Sequence, residues 1–375
     1  MTTPIQFIDL QAQRRRLGEP LNQAILAAVA AGQYIIGPQV GELEKKLAAF
    51  AGVKHCVACA NGTDALMIVL RAWNIGPGDA VFVPAFTFAA TAEVVALVGA
   101  SPVFVDVYED TYNLDPASLE AAIALVKRDN KLKPRVVIPV DLFGQPADYA
   151  AIEPICRREG LKLFDDTAQG FGGVLSGRVA GGIGDAASTS FFPAKPLGCY
   201  GDGGATFTND DDLAATLRSI RVHGQGSDKY ENVRIGVNSR LDTIQAAILL
   251  EKFKIFPEEI ELREKVARRY SQAFSKTNRI VVPRVIDGAQ STWAQYTIQV
   301  QNRAKLQADL KAKGVPTAVY YPIPLNEQRA YKQYPSVPTP KSAALSKTVI
   351  SLPMHPYLEA SVQDAIIAAV LEGVG

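Results

Sequence analysis

The sequence has few of the residues that build disulfide frameworks and metal centres. Its 375 residues include three histidines and four cysteines, the latter at positions 56, 59, 156 and 199. Four scattered cysteines are too few for a disulfide framework. The C-x-x-C spacing of Cys56 and Cys59 falls in a run typical of a buried strand, where residues three apart face opposite sides. We therefore interpret both as small buried hydrophobic residues, and we predict no metal site.

The sequence also lacks an excess of charge and a long apolar run. Lys and Arg number 39 against 38 Asp and Glu, so nothing indicates a nucleic acid or a membrane surface as a partner. No apolar run approaches the ~20 residues that a membrane-spanning helix needs. The N-terminal stretch MTTPIQFIDLQAQRRR lacks the apolar core of a signal peptide. We expect a cytoplasmic protein.

What the sequence does contain is a regular alternation of apolar runs and helical patterns. Runs typical of buried strands lie at residues 55–60, 80–85, 101–107, 134–140, 161–166, 186–192 and 204–208. Strands that alternate with helices indicate βαβ units and a mainly parallel sheet. From residue 211 onward helical patterns dominate. We predict an α/β protein: a large domain at residues 1–255, whose parallel sheet is flanked by helices, and a smaller C-terminal α/β domain at residues 256–375.

A single lysine stands out in the stretch SFFPAKPLGCYGDGGA, residues 190–205. Lys195 lies among aromatic residues, prolines and glycines, and the next cationic side chain along the chain is Arg218. An ammonium group in such surroundings costs desolvation free energy unless it is paired or neutralised. One solution is covalent, because a lysine amine can form a Schiff base with a carbonyl cofactor.

Two further stretches place polar groups after predicted strands. In ACANGTDAL a helix opens near Thr63, and the N–H groups of a helix N-terminus bind anions, although an ordinary helix cap has the same pattern. In FDDTAQG, Asp165 and Asp166 end a strand and face opposite sides, so one of them faces a ligand site. Such a carboxylate could be a metal ligand, an acid–base group, a helix cap or the partner of a cationic ring nitrogen.

Considered together, these features fit pyridoxal phosphate. This cofactor needs a phosphate cradle, an aromatic stacking face, a carboxylate on its ring nitrogen and a Schiff-base lysine. Phe88 follows the second strand, Ser190 offers a hydroxyl, and Lys195 lies 29 residues after Asp166. The carboxylate would keep the ring nitrogen protonated, and the freed lysine would carry a proton during the reaction.

The chain resembles the nucleotide-sugar aminotransferases of the DegT type, a fold-type I pyridoxal phosphate family. The resemblance runs almost end to end, through FIDLQAQ, GQYIIGP, ANGTDAL, PAFTF, DDTAQGFG, SFFPAKPLGCYGDGGA, GVNSRLDTIQAAIL, YYPIPL and SLPMHPYL. The subgroup that it resembles most makes UDP-2-acetamido-3-amino-2,3-dideoxy-glucuronate for bacterial surface polysaccharides such as O-antigen. The resemblance implies L-glutamate as the amino donor, 2-oxoglutarate as its product and a 3-keto nucleotide sugar as the acceptor.

The resemblance also implies roles for individual residues. Lys195 would form the Schiff base, Asp166 would pair with the pyridine nitrogen, and Gln169 would contact the ring hydroxyl. Phe88 would stack on the ring. The phosphate would be held by Gly62, Thr63 and Ser190.

Substrate binding and assembly follow from the same resemblance. Asn238 would reach the phosphate of the neighbouring subunit's cofactor, which implies a homodimer with shared active sites. Arg240 would enter that shared site and bind a substrate carboxylate, for which a bidentate guanidinium is suited. Tyr320 and Tyr321 would contact the substrate. Where the subgroup reads VHYPIPL this chain reads VYYPIPL, and Tyr320 can donate one hydrogen bond but cannot become cationic near neutral pH.

Several alternatives remain open at this point. The same chemistry could act on another dTDP-, UDP- or GDP-linked 3- or 4-keto sugar. A non-catalytic regulator that binds pyridoxal phosphate would need no turnover. A dehydratase on this fold is disfavoured because such family members replace the lysine with histidine. A Rossmann oxidoreductase is disfavoured because no G-x-G-x-x-G opens the first βα unit.

Overall fold

The computed structural model describes residues 4–228 and 230–375. The described helices are α1 Leu10–Ala31, α2 Pro38–Ala51, α3 Gly62–Ala72, α4 Ala90–Leu97, α5 Pro116–Asp129, α6 Tyr149–Glu159, α7 Asp211–Ile220, α8 Thr243–Phe253, α9 Phe256–Phe274, α10 Arg303–Ala312, α11 Pro340–Thr348 and α12 Ala360–Val374. The strands are β1 His55–Cys59, β2 Asp79–Pro84, β3 Ser101–Val105, β4 Lys133–Val137, β5 Lys162–Asp166, β6 Val174–Leu175, β7 Arg178–Val179, β8 Ala186–Ser190, β9 Gly204–Thr208, β10 Ile280–Val281, β11 Ala289–Gln290, β12 Tyr296–Val300 and β13 Val349–Leu352.

A seven-stranded sheet forms the centre of the molecule. Its strand order is β1-β9-β8-β5-β4-β2-β3. All pairings from β8 through to β3 are parallel, and β9 alone runs against its two neighbours. The predicted mainly parallel sheet is therefore confirmed. Because the parallel strands share one direction, their carboxyl ends meet at one edge of the sheet, where ligands bind in folds of this kind.

Helices cover both faces of this sheet. Every residue of β2, DAVFVP, is buried, as expected for a strand packed on both sides. One face packs with α3, α4 and α7, and the other packs with α5 and α6 at one end and with α2 and α8 at the other. Cys56 and Cys59 lie on opposite faces of β1, in two different core clusters, which confirms that they are separate buried hydrophobic residues.

A second, three-stranded antiparallel sheet is formed by β10, β12 and β13. Its core draws side chains from α9, α10 and α12. Helix α9 contributes to two cores, because Phe256 and Ile260 pack with the large sheet whereas Val266 and Tyr270 pack with the small one. The domain division between residues 255 and 256 stays a prediction.

The segment between α10 and α11 returns to the large sheet. The Phe104 N–H donates to the Pro335 carbonyl, and the Val337 N–H donates to the Phe104 carbonyl. Leu325 packs among the buried residues of the large sheet. Within the described residues no helix is both long enough and apolar enough to cross a bilayer.

Candidate active site

A cavity of about 700 Å³ opens at the carboxyl edge of the large sheet. It collects residues that follow five different strands, β1, β2, β4, β5 and β8. Nine of the eleven predicted site residues line it: Gly62, Thr63, Phe88, Asp166, Gln169, Ser190, Lys195, Tyr320 and Tyr321. Strand-end reasoning and the family resemblance together therefore named nine of the 21 residues that line this cavity.

Lys195 and Asp166 are the principal opposite charges in the wall of this cavity. Burial lowers the pKa of Lys195, and the Asp166 carboxylate opposes that shift. Within residues 4–228 and 230–375, no hydrogen-bond acceptor holds the Lys195 Nζ. An amine of lowered pKa without a hydrogen-bond acceptor is a better nucleophile and base than an ordinary surface lysine.

Asp166 is fixed by two hydrogen bonds at the end of β5. The Thr91 hydroxyl donates to Oδ2 at 2.9 Å, and the Ala168 N–H donates to Oδ1 at 3.2 Å. Burial raises the pKa of Asp166, and these two bonds together with Lys195 oppose the rise. The carboxylate is therefore oriented and partly compensated without being neutralised by a salt bridge.

Strand alternation separates Asp165 from the cavity, as predicted for two adjacent residues of one strand. Asp165 points to the opposite side, where the Tyr149 hydroxyl and the Gly181 N–H donate to its carboxyl oxygens. Only Asp166 of the pair lines the cavity.

The first turn of α3 forms an anion cradle with the end of β8. The helix begins at Gly62, one residue earlier than expected, and Asn61 rather than Thr63 caps it, accepting from the Asp64 N–H at 2.8 Å. Within the part of the chain that the structure describes, the Gly62 and Thr63 N–H groups have no acceptor. A Cβ added at Gly62 would lie 2.6 Å from the Ser190 Cβ, so only glycine leaves this cradle open. These groups fit a phosphate.

Gln169 and Tyr321 form the opposite wall. The Gln169 Oε1 accepts from the Phe143 N–H at 2.9 Å, and its Nε2 donates to the Tyr321 hydroxyl at 3.2 Å. Both bonds hold the amide plane in one orientation. The Phe88 ring is 56% exposed, and its centroid lies 6.4 Å from that of Tyr321. An exposed aromatic face at a cavity is available for stacking on a planar ligand.

Asn238 and Arg240 do not line the cavity of their own chain. Asn238 is exposed and Arg240 is half-buried, in the segment between α7 and α8. A single chain therefore does not bring these two predicted residues together with the other nine.

The sequence reasoning missed several residues of the wall. Thr91 is the clearest case, because its hydroxyl bonds to Asp166 across 75 positions of sequence. Its position in the first turn of the helix after β2 was a usable signal, since polar residues just beyond strand ends converge on one edge. Asp64, Asp202 and Gln295 also line the cavity. No group of three metal-ligating side chains suited to an ion occurs among the described residues.

Comparisons with known proteins agree with this arrangement. The model of the DegT/DnrJ/EryC1/StrS aminotransferase family matches residues 15–371. A UDP-2-acetamido-2-deoxy-3-oxo-D-glucuronate aminotransferase of Pseudomonas aeruginosa is 50% identical, over 97% of this chain and 99% of that protein. A pleiotropic regulatory protein of Geobacillus stearothermophilus is 41% identical, over 98% of each chain.

Solved structures give the same result. A DegT DnrJ EryC1 StrS aminotransferase from Brucella abortus has a TM-score of 0.97 at 54% identity, covering 99% of this chain and 100% of that one. NtdA from Bacillus subtilis, with bound cofactor PMP, has a TM-score of 0.89 at 28% identity, covering 100% and 86%. PMP is the aminated form of pyridoxal phosphate, which these matches indicate as the cofactor. The chain belongs to the DegT/DnrJ/EryC1/StrS aminotransferase family.

Proposed function

We propose that this chain transfers the amino group of L-glutamate to UDP-2-acetamido-2-deoxy-3-oxo-glucuronate, in the cytoplasm, for bacterial surface polysaccharide (O-antigen) biosynthesis. The observation that carries the proposal is the single cavity that Lys195, Asp166 and the α3 cradle share. The 50% identity to a protein named for that sugar supports the choice of substrate. The reaction is ping-pong: glutamate leaves as 2-oxoglutarate before the keto sugar binds.

The residues divide the work as follows in this proposal. The cradle of Gly62, Thr63 and Ser190 holds the cofactor's phosphate, and the exposed Phe88 ring packs on the cofactor's plane. Asp166 faces the ring nitrogen and Gln169 faces the ring hydroxyl. When bound, pyridoxal phosphate supplies an aldehyde that takes up and returns the amino group, and a ring that withdraws electrons from the substrate carbon.

Lys195 performs the proton transfers. Burial lowers the pKa of its Nζ, which favours the neutral amine, and that amine can accept the proton that leaves the Cα of the amino donor. In the second half of the reaction the same Nζ returns a proton to the carbon that becomes C3 of the amino sugar. The Asp166 carboxylate opposes that lowering of the pKa and so favours the ammonium form, which is the form that donates.

A spectroscopic experiment tests the transamination. L-Glutamate added to the loaded protein should replace the absorbance of the lysine-bound cofactor with that of its aminated form, and the keto sugar should reverse the change. Borohydride should trap the cofactor on Lys195, as mass spectrometry would show. Lys195→Ala should abolish both signals, and Lys254→Ala, which removes an exposed lysine, should leave them intact. A Lys195→Ala protein that still turned over would refute the mechanism.

The sugar is tested with a panel of substrates. We expect the UDP-linked 3-keto glucuronate to have a higher kcat/KM than dTDP- or GDP-linked 3- or 4-keto sugars. Burial raises the pKa of Tyr320, which therefore remains a neutral hydrogen-bond donor. Tyr320→His should raise kcat/KM for the glucuronate relative to the corresponding uncharged 3-keto glucosamine, because a histidine can carry a positive charge. A wild-type preference for the uncharged sugar would overturn the substrate assignment.

We also propose a homodimer whose subunits complete each other's sites. Among the described residues, the cavity wall of one chain carries Asp64, Asp166 and Asp202 but only one cation, Lys195. A nucleotide sugar brings a diphosphate and, here, a carboxylate, so this wall needs further cations. In the dimer, Arg240 of each subunit supplies one and the exposed Asn238 reaches the partner's phosphate cradle.

The surface next to Arg240 supports this assembly. Ile35 bridges to Asp242, and the Thr243 N–H donates to the Tyr34 carbonyl, so residues 34–36 lie beside the Arg240 segment. Tyr34 and Ile35 are 50% and 47% exposed. An exposed apolar patch beside unpaired functional residues is typical of a subunit interface.

Mixed subunits test the dimer. Lys195→Ala and Arg240→Ala proteins should each be inactive alone. After unfolding and refolding together they should recover about a quarter of the wild-type activity, because half of the dimers then contain one complete site of two. Light scattering should give twice the chain mass. A monomeric protein, or no recovery of activity on mixing, would refute the shared sites and would leave the role of Lys195 unchanged.

A further inference from the structure

Behind the strand end that carries Asp166 lies a sealed cluster of two carboxyl groups and a phenol. Asp141, Tyr149 and Asp165 are each 0% exposed. The Tyr149 hydroxyl lies 2.9 Å from the Asp141 Oδ1 and also within hydrogen-bond distance of the Asp165 Oδ1. The Asp141 N–H donates to the Asp166 carbonyl at 3.0 Å, which fastens the cluster to the strand end.

The number of hydrogens favours one extra proton in this cluster. A phenol has one hydrogen and makes its best hydrogen bond to one of two flanking oxygens. The contact to the other oxygen is most favourable when that carboxyl is protonated and donates to the phenol oxygen. Backbone N–H groups of Ala147 and Gly181 donate to the two carboxyls, at 2.9 and 3.3 Å, but neither can supply that proton.

No cation of the described residues pairs with the two carboxyls. Among residues 4–228 and 230–375 no lysine, arginine or histidine forms an ion pair with Asp141 or Asp165, and the Asp141 Oδ2 is buried without a partner. Two adjacent carboxylates that are fully buried repel each other, and sharing one proton removes most of that repulsion. Asp166 differs, because it faces Lys195 and accepts from Thr91 and Ala168.

We propose that Asp141 and Asp165 share one proton through Tyr149 at neutral pH, and that this pair is a positioning group that leaves Asp166 as the ionised carboxylate facing the cavity. The statement about Asp166 rests on the proposed function, and the shared proton does not. The charged or titratable groups that face the pair are Asp166 and, beyond it, Lys195.

The electrostatic environment agrees with this assignment. Burial raises the pKa of both Asp141 and Asp165, and in Asp165 it does so to about 7. The neighbouring carboxylate raises the pKa of Asp141 further. Burial also raises the pKa of Tyr149, which therefore stays a donor. A pair that titrates together releases its second proton only well above the pH at which an exposed aspartate ionises.

Infrared difference spectroscopy of the full-length protein tests the shared proton directly, with and without added pyridoxal phosphate. We expect a carbonyl band of a protonated carboxylic acid near neutral pH, which moves on exchange into heavy water. Asp165→Asn should remove it. The matched control is Asp148→Asn. Asp148 directly precedes Tyr149, caps the N-terminus of α6 and is partly exposed. An absent band, or a band that survives both Asp165→Asn and Asp141→Asn, would overturn the proposal.

Stability against pH gives a second readout. A folded-state pKa raised above the unfolded value means that the native protein binds more protons between about pH 4 and pH 7, so its stability falls as pH rises through that window. Asp165→Asn keeps a donor for Tyr149 and removes this fall. Its urea midpoint should exceed that of the wild type at about pH 8 and match it at about pH 4. Parallel profiles would refute the shared proton.

Kinetics separate this inference from the proposed function. Asp165→Asn, which copies the protonated member of the pair, should keep kcat within about threefold, whereas Asp166→Asn should lose at least about 100-fold. Equal losses in the two variants would show that a neutral group at position 165 does not suffice and would refute the shared proton. A wild-type protein that shows the acid band but no transamination would refute the proposed function and leave the shared proton in place.

Discussion

Lys252 tests how the loop that carries Lys195 is held in place. Its side chain is 1% exposed, its Nζ donates to the Gly198 carbonyl, and it lies 4.7 Å from the centroid of the Tyr200 ring. Gly198 and Tyr200 belong to the loop that carries Lys195. Replacing Lys252 with methionine keeps the length of the side chain and removes its charge.

The expected change in stability is small because large effects oppose each other. Burial lowers the pKa of Lys252 from 10.5 to about 8, which corresponds to about 3 kcal/mol of penalty on the charged form. Methionine relieves that penalty. It also loses a charged hydrogen bond of about 1.5–3 kcal/mol and a cation–π contact of about 1–2 kcal/mol. We expect Lys252→Met to change the free energy of unfolding by less than about 2 kcal/mol near pH 7.

The pH dependence of this stability difference is a sharper test than its size at one pH. The folded pKa lies below the unfolded one, so the unfolded chain binds more protons between about pH 8 and pH 10.5, and Lys252 adds stability as pH rises there. Urea unfolding should therefore show that the free energy of unfolding of Lys252→Met, relative to that of the wild type, is lower at about pH 9.5 than at about pH 7. Lys254→Met, at an exposed site paired with Glu251, is the control. An identical difference at both pH values would refute the burial argument.

Two further predictions concern the cavity wall. Gly62→Ala should lower the affinity for pyridoxal phosphate at least about tenfold in a titration of the apoprotein, because its Cβ would lie 2.6 Å from the Ser190 Cβ. The control is Gly41→Ala, at a position where an added Cβ has no atom within 4 Å, and it should leave the affinity unchanged. Equal affinities of the two variants would contradict the role of Gly62 in the phosphate cradle. Thr91→Val removes the 2.9 Å hydrogen bond to Asp166 and so raises the pKa of that carboxyl further. We expect kcat/KM to fall about tenfold and the acidic limb of its pH profile to move to higher pH. An acidic limb at the wild-type pH would contradict the role of Thr91.

Much of the fold was accessible from the sequence because buried parallel strands are apolar along their whole length. The run at 80–85 predicted β2 within a residue at each end, and the alternation of strands with helices predicted the parallel sheet. The place of the Asp165–Asp166 pair at the cavity edge was accessible for a related reason. The carboxyl ends of parallel strands converge, so position along the chain predicts position in space.

Contacts that depend on packing between distant segments were not accessible. Strand parity predicted that Asp165 and Asp166 face opposite sides, but not which one faces the cavity. That choice depends on Tyr149 in α6 and on Thr91 in α4, whose hydroxyls reach the two carboxyls from opposite faces of the sheet. No local pattern marks such pairs, because an isolated Tyr or Thr in a helix has many possible partners.

Helix α9 also links the unfolding of the two cores, because it packs in both. Phe256 and Ile260 near its start pack in the core of the large sheet, and Val266 and Tyr270 two turns later pack in the other core. We therefore expect that loss of either core frays the helix that the other core uses, and that the two cores unfold together. A stabilising substitution in the C-terminal core should then also stabilise the cofactor cavity, although it contacts nothing there.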